Sequence, residues 1–289
     1  MRVNNSMSVP LINNKSILTP TSGFLGSGFT HTINIYSGCA FDGSVCGIFC
    51  YAQHNHWITK GRPWGLYGAK ENTVSAYERE FDRLKRPRRG NSKSLRIYMS
   101  SSTDPYVPQE KSLKLTRSLL EAMIDRPPNG LVIQTHATMI ERDLDVIEDL
   151  ATRTSVWVSI TVETNRESLP GFPKHASSPA ARLEVLRKFR DAGIRTQATI
   201  SPLLPLTNVT SFAQSLNQVA DRVIVDHYLL GDGSKGGWRT RQTEFPKLLE
   251  EAGFAEWNSL DKFWEVVSTL RDVLGAERVL VSEAGFNAV

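Results

Sequence analysis

A regular alternation of short apolar runs with longer amphipathic segments restricts the fold of this chain more than any other feature. The short runs are mostly β-branched and almost continuously apolar, which is typical of strands covered on both faces. The predicted strands are HTINIY (31–36), SLRIYMS (94–100), GLVIQTH (130–136), SVWVSITV (155–162), RTQATIS (195–201), RVIVDHYL (222–229) and RVLVSE (278–283). The predicted helices span residues 73–86, 111–125, 142–153, 178–193, 209–220 and 259–275.

The β-α order repeats about six times, which predicts an α/β fold with a parallel sheet. A closed barrel, a partial barrel and an open doubly wound sheet all fit this order. Residues 1–30 are predicted to be a loosely ordered leader, because they contain little periodicity. No linker divides the rest, so residues 31–289 are predicted to form a single domain.

Composition and charge place the chain in a broad class. Hydrophobic residues make up 40% of the 289 residues and charged residues 22%, as in soluble globular proteins. No apolar run is long enough to span a membrane, and the polar N-terminus lacks a signal-peptide core, so a cytoplasmic location without membrane contact is expected. The net charge is +4, and part of it lies in RLKRPRRGNSK (83–93), which is either a phosphate-attracting patch or, more simply, a solvated turn.

All three cysteines, Cys39, Cys46 and Cys50, lie in one twelve-residue window directly after the first predicted strand. In parallel α/β sheets, functional residues collect where strands end and the following loops begin. Polar stretches follow the other strands too: SSSTDPY (100–106), QTHAT (134–138), TVETN (161–165), SPLLPL (201–206) and DHYLLGDGSKGGW (226–238). The cysteine loop is therefore predicted to lie at the active-site edge of the sheet.

Three clustered thiols in a cytosolic protein indicate metal or redox chemistry, since soft thiolates select zinc, copper(I) or iron–sulfur clusters. Structural zinc needs four ligands, and His54 could supply the fourth, which would suit a zinc-stabilised nucleic-acid-binding protein. Three cysteines can also hold a [4Fe–4S] cluster with one iron left open. Such a cluster could serve an enzyme or an electron-transfer or sensing module.

The stretch NIYSGC…CGIFCYAQ resembles the cluster loop of radical S-adenosylmethionine (radical SAM) enzymes, and in particular their spore photoproduct lyase-like branch. The resemblance extends from about residue 17 to the end of the chain. It is supported, in the same order along the chain, by SILTPTSGF, YMSSSTDPYVPQE…LTRSLLEAM, ERDLDVIEDL, VSITVETN, RLEVLRKFRDAGI and SPLLPL.

The resemblance implies a partial (β/α)6 TIM-like barrel with N- and C-terminal extensions. It implies that Cys39, Cys46 and Cys50 bind a [4Fe–4S] cluster whose fourth iron binds S-adenosylmethionine. The expected reaction is reductive cleavage of S-adenosylmethionine to a 5′-deoxyadenosyl radical that abstracts a substrate hydrogen. An electron donor such as flavodoxin or ferredoxin is the implied partner.

The resemblance also implies a set of cofactor-binding residues. Phe49 matches an aromatic residue near the adenine, and Arg182 matches an arginine suited to the methionine carboxylate. His136 replaces a lysine found in relatives and is a further carboxylate partner. The remaining residues lie at the ends of two strands and match contacts to the methionine amino group, the ribose and the carboxylate: Ser101, Ser102, Thr103, Ser159, Thr161 and Glu163.

The chain departs from the family pattern in its cysteine spacing, which is Cys-x6-Cys-x3-Cys instead of Cys-x3-Cys-x2-Cys. The altered spacing leaves open a related reaction that transfers an aminocarboxypropyl group. Spore photoproduct lyase also uses a further cysteine, which this chain lacks, so repair of thymine dimers by that route is not expected. Tyr98, Tyr106 and His227 are weak catalytic candidates, and the substrate is unidentified: a small molecule, a nucleic acid or a peptide.

Overall fold

The computed structural model describes residues 9–86 and 94–288. The strands in these residues are β1 (Leu11–Ile12), β2 (Leu18–Pro20), β3 (His31–Ile33), β4 (Tyr36–Gly38), β5 (Leu66–Lys70), β6 (Arg96–Met99), β7 (Gly130–Thr135), β8 (Ser155–Thr161), β9 (Arg195–Ile200), β10 (Arg222–Val225) and β11 (Val279–Val281). The α-helices are α1 (Val45–Phe49), α2 (His56–Thr59), α3 (Thr73–Lys85), α4 (Glu110–Leu113), α5 (Leu115–Asp125), α6 (Leu144–Ala151), α7 (Pro179–Asp191), α8 (Val209–Asn217), α9 (Tyr228–Gly231), α10 (Trp238–Arg241), α11 (Phe245–Glu251), α12 (Leu260–Leu274) and α13 (Ser282–Phe286).

Eight strands form the main sheet in the order β11-β10-β9-β8-β7-β6-β3-β2. Every neighbouring pair is parallel except β2 with β3, which is antiparallel. The sheet is open, with β11 and β2 at its edges, as in a partial barrel. The predicted α/β fold with a parallel sheet and alternating helices is thereby confirmed.

The predicted strand 31–36 is wrong in its extent, because the chain leaves the main sheet after Ile33. The side chain of Asn34 turns toward the end of β6, where its Nδ2 donates to Ser101 Oγ at 3.0 Å and its Oδ1 accepts from Ser102 N at 3.0 Å. The next strand, β4, joins a separate three-stranded sheet in the order β1-β5-β4. The cysteine loop therefore follows β4 of the smaller sheet and not a strand of the main sheet.

The segment before β3 is more structured than its sequence predicts. Strand β1 pairs with β5 in parallel, β2 pairs with β3, and Phe29 is buried at 2% exposure. Residues 1–8 of the predicted leader lie outside the described residues. The division into a leader, residues 1–30, and one domain, residues 31–289, stays a prediction.

Helix boundaries follow local signals where those signals are strong. Ser178 caps α7 by accepting from Ala181 N at 3.2 Å, Pro179 is the first helical residue, and Gly193 follows the helix with φ +76°. The predicted helix 111–125 is divided into α4 and α5, because Lys114 has φ +51°.

Three other predicted elements differ in extent from those in the structure. The predicted helix 142–153 is a 3₁₀ turn, Thr138–Asp143, followed by α6. The predicted strands 222–229 and 278–283 end early, since His227 caps α9 and Ser282 begins α13.

The two faces of the main sheet bury different kinds of side chain. On one face Ile97, Leu131 and Val158 pack into the core shared with the helices. On the inner face Tyr98, Val132 and Trp157 pack with Phe29 and, from the C-terminal end of the chain, Phe286. None of the helices in the described ranges is long and apolar enough to cross a membrane.

Candidate active site at the cysteine loop

The cysteine loop begins where β4 ends. Gly38 has φ +73°, and a Cβ there would lie 1.7 Å from the carbonyl oxygen of Gly65, so only glycine fits. Cys39 follows and donates its backbone N–H to the same oxygen at 3.0 Å. Cys46 lies in α1, and Cys50 is the residue at which α1 ends. The strand end and the short helix thus fix the backbone at all three thiols.

The long spacing between Cys39 and Cys46 is a folded turn that is fixed by hydrogen bonds. Ser44 donates to Phe41 O from its backbone N–H at 3.0 Å and from Oγ at 2.7 Å. The turn packs tightly on α1, since a Cβ at Gly47 would lie 1.9 Å from Asp42 O. Val45 N donates to Lys174 O at 3.2 Å, which ties the turn to the segment before α7.

All three cysteines are free thiols, and Cys46 lies close enough to Cys39 and Cys50 to affect their ionisation. Burial, and to a smaller extent the neighbouring Cys46, raise the pKa of Cys39 to about 12. Burial also raises the pKa of Cys50, with added contributions from Cys46 and Cys39. Thiols in this state bind a metal by releasing their protons, so metal binding at this loop would be coupled to pH.

A chain of charged side chains lies beside the cysteine loop, at the ends of β7 and β8. Arg182, on α7, donates from Nη1 to Glu163 Oε2 and to Thr161 O, both at 2.6 Å. His136 Nε2 lies 3.2 Å from Glu163 Oε1, and His136 Nδ1 lies 3.5 Å from Asp104 Oδ2. The order is therefore Asp104–His136–Glu163–Arg182, and we call it the charged chain.

The residues of the charged chain stabilise one another's charged forms and thereby shift the pKa values of Glu163 and His136. Burial alone would raise the pKa of Glu163, but Arg182 and His136 hold it well below its usual range. Burial alone would lower the pKa of His136, but Cys46, Asp104 and Glu163 raise it well above its ordinary value. Asp104 is oriented by the N–H of His136 at 2.7 Å and the hydroxyl of Thr135 at 2.7 Å.

A narrow cleft joins the charged chain to the cysteine loop. Its lining residues are Cys46, His136, Glu163, His175, Ala176, Ser177 and Arg182. Arg182 Nη2 lies 3.4 Å from His175 Nδ1, while its buried Nε has no hydrogen-bond partner among the described residues. A buried guanidinium N–H without a partner is costly, so the cleft suits a ligand that brings an acceptor such as a carboxylate.

The loop after β6 holds the predicted residues Ser101, Ser102 and Thr103. Asn34 Oδ1 accepts from Ser102 N at 3.0 Å and from Thr103 N at 3.3 Å, and Tyr51 OH donates to Ser101 O at 2.7 Å. Because Tyr51 follows Cys50 directly, this bond connects the cysteine loop to the end of β6.

Ser159 and Thr161 point to the inner face of the sheet and are part of a buried polar network. Ser159 Oγ donates to Gln134 Oε1 at 2.6 Å, and Gln134 Nε2 donates to Thr161 Oγ1 at 2.5 Å. Gln197 Nε2 donates to Ser159 Oγ at 2.8 Å. Tyr98 joins the same network by donating to Gln134 Oε1 at 2.9 Å. The hydroxyls predicted as cofactor contacts are thus already bonded to protein groups.

The other predicted residues occupy different environments. Phe49 is buried on α1, with its ring centroid 5.7 Å from that of Phe245. Tyr106 is fully buried in the core, where burial and the neighbouring Asp143 raise its pKa. His227 accepts from Leu229 N at 3.2 Å, and its Nε2 lies 3.1 Å from Trp257 O, so both ring nitrogens contact backbone groups. His54 is exposed on the turn after Cys50.

Asp226 is a second buried acid at this edge of the sheet, directly after β10. Burial raises its pKa to about 7, although the N–H of His227 and the hydroxyl of Ser201 donate to it at 2.9 and 3.3 Å. Gly231 makes room for it, since a Cβ there would lie 1.7 Å from Asp226 Oδ2.

The structure adds residues that the sequence patterns did not single out: Asn34, Tyr51, Asp104 and His175. Asn34 interrupts the apolar residues Ile33 and Ile35 before the cysteines, and this interruption was a usable signal. Asp104 lies in a polar strand-end stretch, but its partner His136 is 32 residues away. Nothing local identifies such a pair.

Comparison with known proteins identifies related sequences. The model of the radical SAM superfamily matches residues 33–219. An uncharacterized protein of Acidianus two-tailed virus is 29% identical over 213 residues, which are 69% of this chain and 65% of that protein. An uncharacterized protein of Methanocaldococcus jannaschii is 29% identical over 206 residues, covering 70% of each. The chain therefore spans about two thirds of the length of these relatives.

Solved structures of spore photoproduct lyase share the fold. The complex with dinucleoside spore photoproduct has a TM-score of 0.57 at 14% identity, and the match covers 94% of this chain and 80% of that one. A variant with bound AdoMet and dinucleoside spore photoproduct has a TM-score of 0.57 at 13% identity, with the same coverage. At these identities the likeness concerns the fold alone.

Proposed function

Because the chain belongs to the radical SAM superfamily, we propose that it is an enzyme that binds a [4Fe–4S] cluster through Cys39, Cys46 and Cys50. When bound, the cluster supplies the electron for reductive cleavage of S-adenosylmethionine, which starts radical chemistry on the substrate. The residues of this chain bind and orient S-adenosylmethionine and the substrate. An electron donor such as flavodoxin or ferredoxin is part of this proposal.

The single observation that carries the proposal is the cleft shared by a cysteine and a buried cation. Cys46 and Arg182 line the same cleft, and the Nε of Arg182 is buried without a partner. A ligand that reaches from the cysteine loop with a carboxylate would satisfy that N–H. S-adenosylmethionine carries such a carboxylate, so the residues present fit both the cluster and the cofactor.

The ligand set of the cysteine loop supports a cluster over a single zinc ion. A zinc site would need His54 as its fourth ligand, and His54 is exposed while Cys39 is buried. Zinc needs its ligands around one point at about 2.0–2.3 Å. A cluster takes one cysteine at each of three irons, so its ligands are further apart. The alternative zinc site with His54 has less support.

We propose that the other predicted residues bind S-adenosylmethionine as follows. Arg182 and Glu163 hold the carboxylate and ribose region, with His136 fixed between Glu163 and Asp104. Ser101, Ser102 and Thr103 contact the amino group from a loop that Asn34 holds in place. Phe49 packs toward the adenine. Ser159 and Thr161 act through the buried network around Gln134, since their hydroxyls are already bonded.

The chain also supplies a site that excludes water. Thr161, Glu163 and Arg182 are at most 2% exposed, and Cys39 is 8% exposed. A shielded site strengthens the electrostatic contacts to a bound cofactor and protects reactive species from solvent. Tyr98 lies in the same shielded interior and stays a candidate for hydrogen-atom donation.

The test is anaerobic reconstitution followed by metal analysis and product analysis. We expect about four iron atoms per chain and release of 5′-deoxyadenosine after reduction with dithionite. Release of 5′-methylthioadenosine instead would indicate transfer of an aminocarboxypropyl group. The Cys46→Ala variant should lose most of the cluster and of the cleavage activity.

His54→Ala is the matched control, because His54 would be a ligand only in the zinc alternative. It should keep the iron content of the unmodified protein. One zinc per chain, no iron, and loss of that zinc in His54→Ala would overturn the proposal. A full cluster without cleavage of S-adenosylmethionine would favour an electron-transfer or sensing module.

A further inference from the structure

A basic groove lies on α3, away from the cysteine loop. Its lining residues are Lys15, Ser16, Arg79, Glu80, Arg83 and Arg86, and its volume is about 390 Å³. We call it the α3 groove. The proposed radical chemistry uses none of these residues, so the groove requires an explanation of its own.

The charges of α3 are separated by face. Glu78 and Asp82 are turned toward Arg126, which donates to them from Nη1 at 2.8 Å and from Nε at 3.1 Å. Arg79 and Arg83 point to the groove instead. The acidic residues on this helix are therefore neutralised elsewhere and do not offset the groove arginines.

Glu80, on the floor of the groove, is also committed to other partners. It is 3% exposed and accepts from Ser16 Oγ at 2.9 Å, Ile17 N at 3.0 Å and Leu18 N at 2.9 Å. These bonds attach the N-terminal segment to α3, and this segment forms the second wall of the groove. Arg79 is held across it by donating to Lys15 O at 2.8 Å, and lies 3.7 Å from Glu80.

Arg83 and Arg86 form no ion pair with any carboxylate of the described residues, and both are exposed. The sequence around them is strongly basic: residues 79–93 include seven Lys or Arg and two acidic residues. The net charge of this segment, +5, exceeds the +4 of the whole chain. The overall positive charge of the protein is thus concentrated in one segment of the sequence.

The spacing of the arginines suits a linear polyanion. Arg79 and Arg83 lie at positions i and i+4 on one face of α3, and Arg86 is the residue at which the helix ends, so the three span about 10 Å along the axis. This length corresponds to about three successive phosphates of one nucleic-acid strand. Arginine binds phosphate through a planar fork of donors and is favoured over lysine in such sites.

We propose that the α3 groove binds the phosphate backbone of a nucleic-acid strand. The groove has no large apolar side chain in its lining, whereas a membrane-binding surface needs apolar residues that enter the lipid. Binding rests on phosphate contacts and is therefore independent of base sequence and weakened by salt. The proposal does not depend on the proposed function of the cysteine loop.

The test is fluorescence anisotropy of a labelled twelve-nucleotide single-stranded DNA with the anaerobically reconstituted protein, between roughly 50 and 200 mM KCl. The unmodified protein should bind, and log K should fall linearly with log salt. The double variant Arg83→Glu/Arg86→Glu should lose at least about tenfold in affinity, and the slope should fall by about 1.4, since each phosphate contact contributes about 0.7. Arg83→Gln/Arg86→Gln should show a smaller loss in the same direction.

The control Lys247→Glu/Arg271→Glu changes the net charge equally at exposed positions on α11 and α12. It should keep the affinity within about twofold, because neither residue lines the groove and salt screens the effect of exposed charges outside it. An equal loss in this control, or no binding by the unmodified protein, would overturn the proposal. The proposal would also be overturned if the groove bound inorganic phosphate, ATP or anionic phosphatidylserine vesicles and the oligonucleotide did not compete for that binding.

Cleavage of S-adenosylmethionine separates this proposal from that of the active site. The groove variants should release 5′-deoxyadenosine as the unmodified protein does. Suppose that neither the unmodified protein nor the groove variants cleave S-adenosylmethionine, but that DNA binding depends on Arg83 and Arg86. The proposed function is then wrong and the groove proposal stands.

Discussion

Arg182 and Glu163 form an ion pair that is almost fully shielded from solvent, with side-chain exposures of 3% and 2%. The pair connects α7 to the end of β8 and holds one side of the cleft beside Cys46. A buried charge is tolerated only while its partner is present, because desolvation of an unpaired ion is costly. The residues of the proposed cofactor site are therefore also residues on which stability depends.

Replacing Glu163 with glutamine should expose this dependence. Glu163→Gln keeps the size of the side chain but leaves Arg182 as an uncompensated buried cation, so the free energy of unfolding should fall by about 3–5 kcal/mol. Chemical denaturation measures this free energy of unfolding. Glu184→Gln on the same helix removes an exposed pair with Arg187 and should cost less than about 1 kcal/mol. Equal effects of the two would contradict the role assigned to the buried pair.

Asp226 should make the stability of the protein depend on pH. Its pKa of about 7 lies above its ordinary value of 3.8, so the folded protein binds more protons than the unfolded chain between these values. Its contribution to stability is complete below about pH 4 and is lost as the pH rises through 7, a change on the order of 4 kcal/mol. Denaturation at a series of pH values should show this loss.

The Asp226→Asn variant keeps an acceptor for the N–H of His227 but cannot ionise. Its free energy of unfolding should change less between pH 4 and 8 than that of the unmodified protein. Asp272→Asn, at an exposed position on α12, serves as the control and should leave the pH dependence as it was. Unchanged pH dependence in Asp226→Asn would show that another group causes it.

The elements that carry the cysteines are short and depend on close packing. Helix α1 has five residues, Val45–Phe49, which is too short to be stable by itself. It is held by contact between Gly47 and the turn at Asp42, and by the bond from Val45 N to Lys174 O. The longer cysteine spacing is therefore accommodated by a specific turn–helix unit.

A methyl group at Gly47 should disturb this unit. Gly47→Ala would place Cβ 1.9 Å from Asp42 O, so either the turn or α1 must move, at a cost of about 1–3 kcal/mol. Because Cys46 and Cys50 lie on α1 and at its end, we expect the iron and sulfide content after reconstitution to fall by about half or more. Gly43→Ala in the same turn meets nothing within 4 Å and should keep its iron. Full iron content in Gly47→Ala would contradict the proposed rigidity.

Two segments, one near each end of the described chain, cover the inner face of the open sheet. Phe29 packs on Tyr98 with ring centroids 5.1 Å apart, and the ring centroid of Phe286 lies 6.5 Å from that of Tyr98. Asn287 Oδ1 accepts from Gly28 N at 2.7 Å, which joins the two segments directly. The extensions thus complete the barrel interior in which the polar network lies.

Removing one of these aromatic rings should affect global stability. Phe29→Ala should lower the free energy of unfolding by about 3–5 kcal/mol, because the side chain is 2% exposed. Leu11→Ala, near the same end of the chain but 53% exposed, should change it by less than about 0.5 kcal/mol. A small effect of Phe29→Ala in denaturation experiments would mean that the N-terminal segment does not contribute to the fold core.

Sequence alone determined the alternating β-α order, the parallel sheet and the clustering of the three cysteines in one loop. These features follow from local periodicity, and helix caps such as Ser178 and Gly193 mark their own positions. Short, continuous apolar runs also distinguished the strands, as at residues 131–133 and 156–158. Such signals lie within a few residues of the elements they define.

Only the tertiary structure decided which polar residues meet. The contact of Asp104 with His136, of Glu163 with Arg182, and of Asn34 with the loop after β6 joins residues 19 to 68 positions apart. The break in the first predicted strand, and the order in the N-terminal segment, likewise depend on partners elsewhere in the chain. Long-range pairing reflects how the elements pack, and local sequence patterns do not encode it.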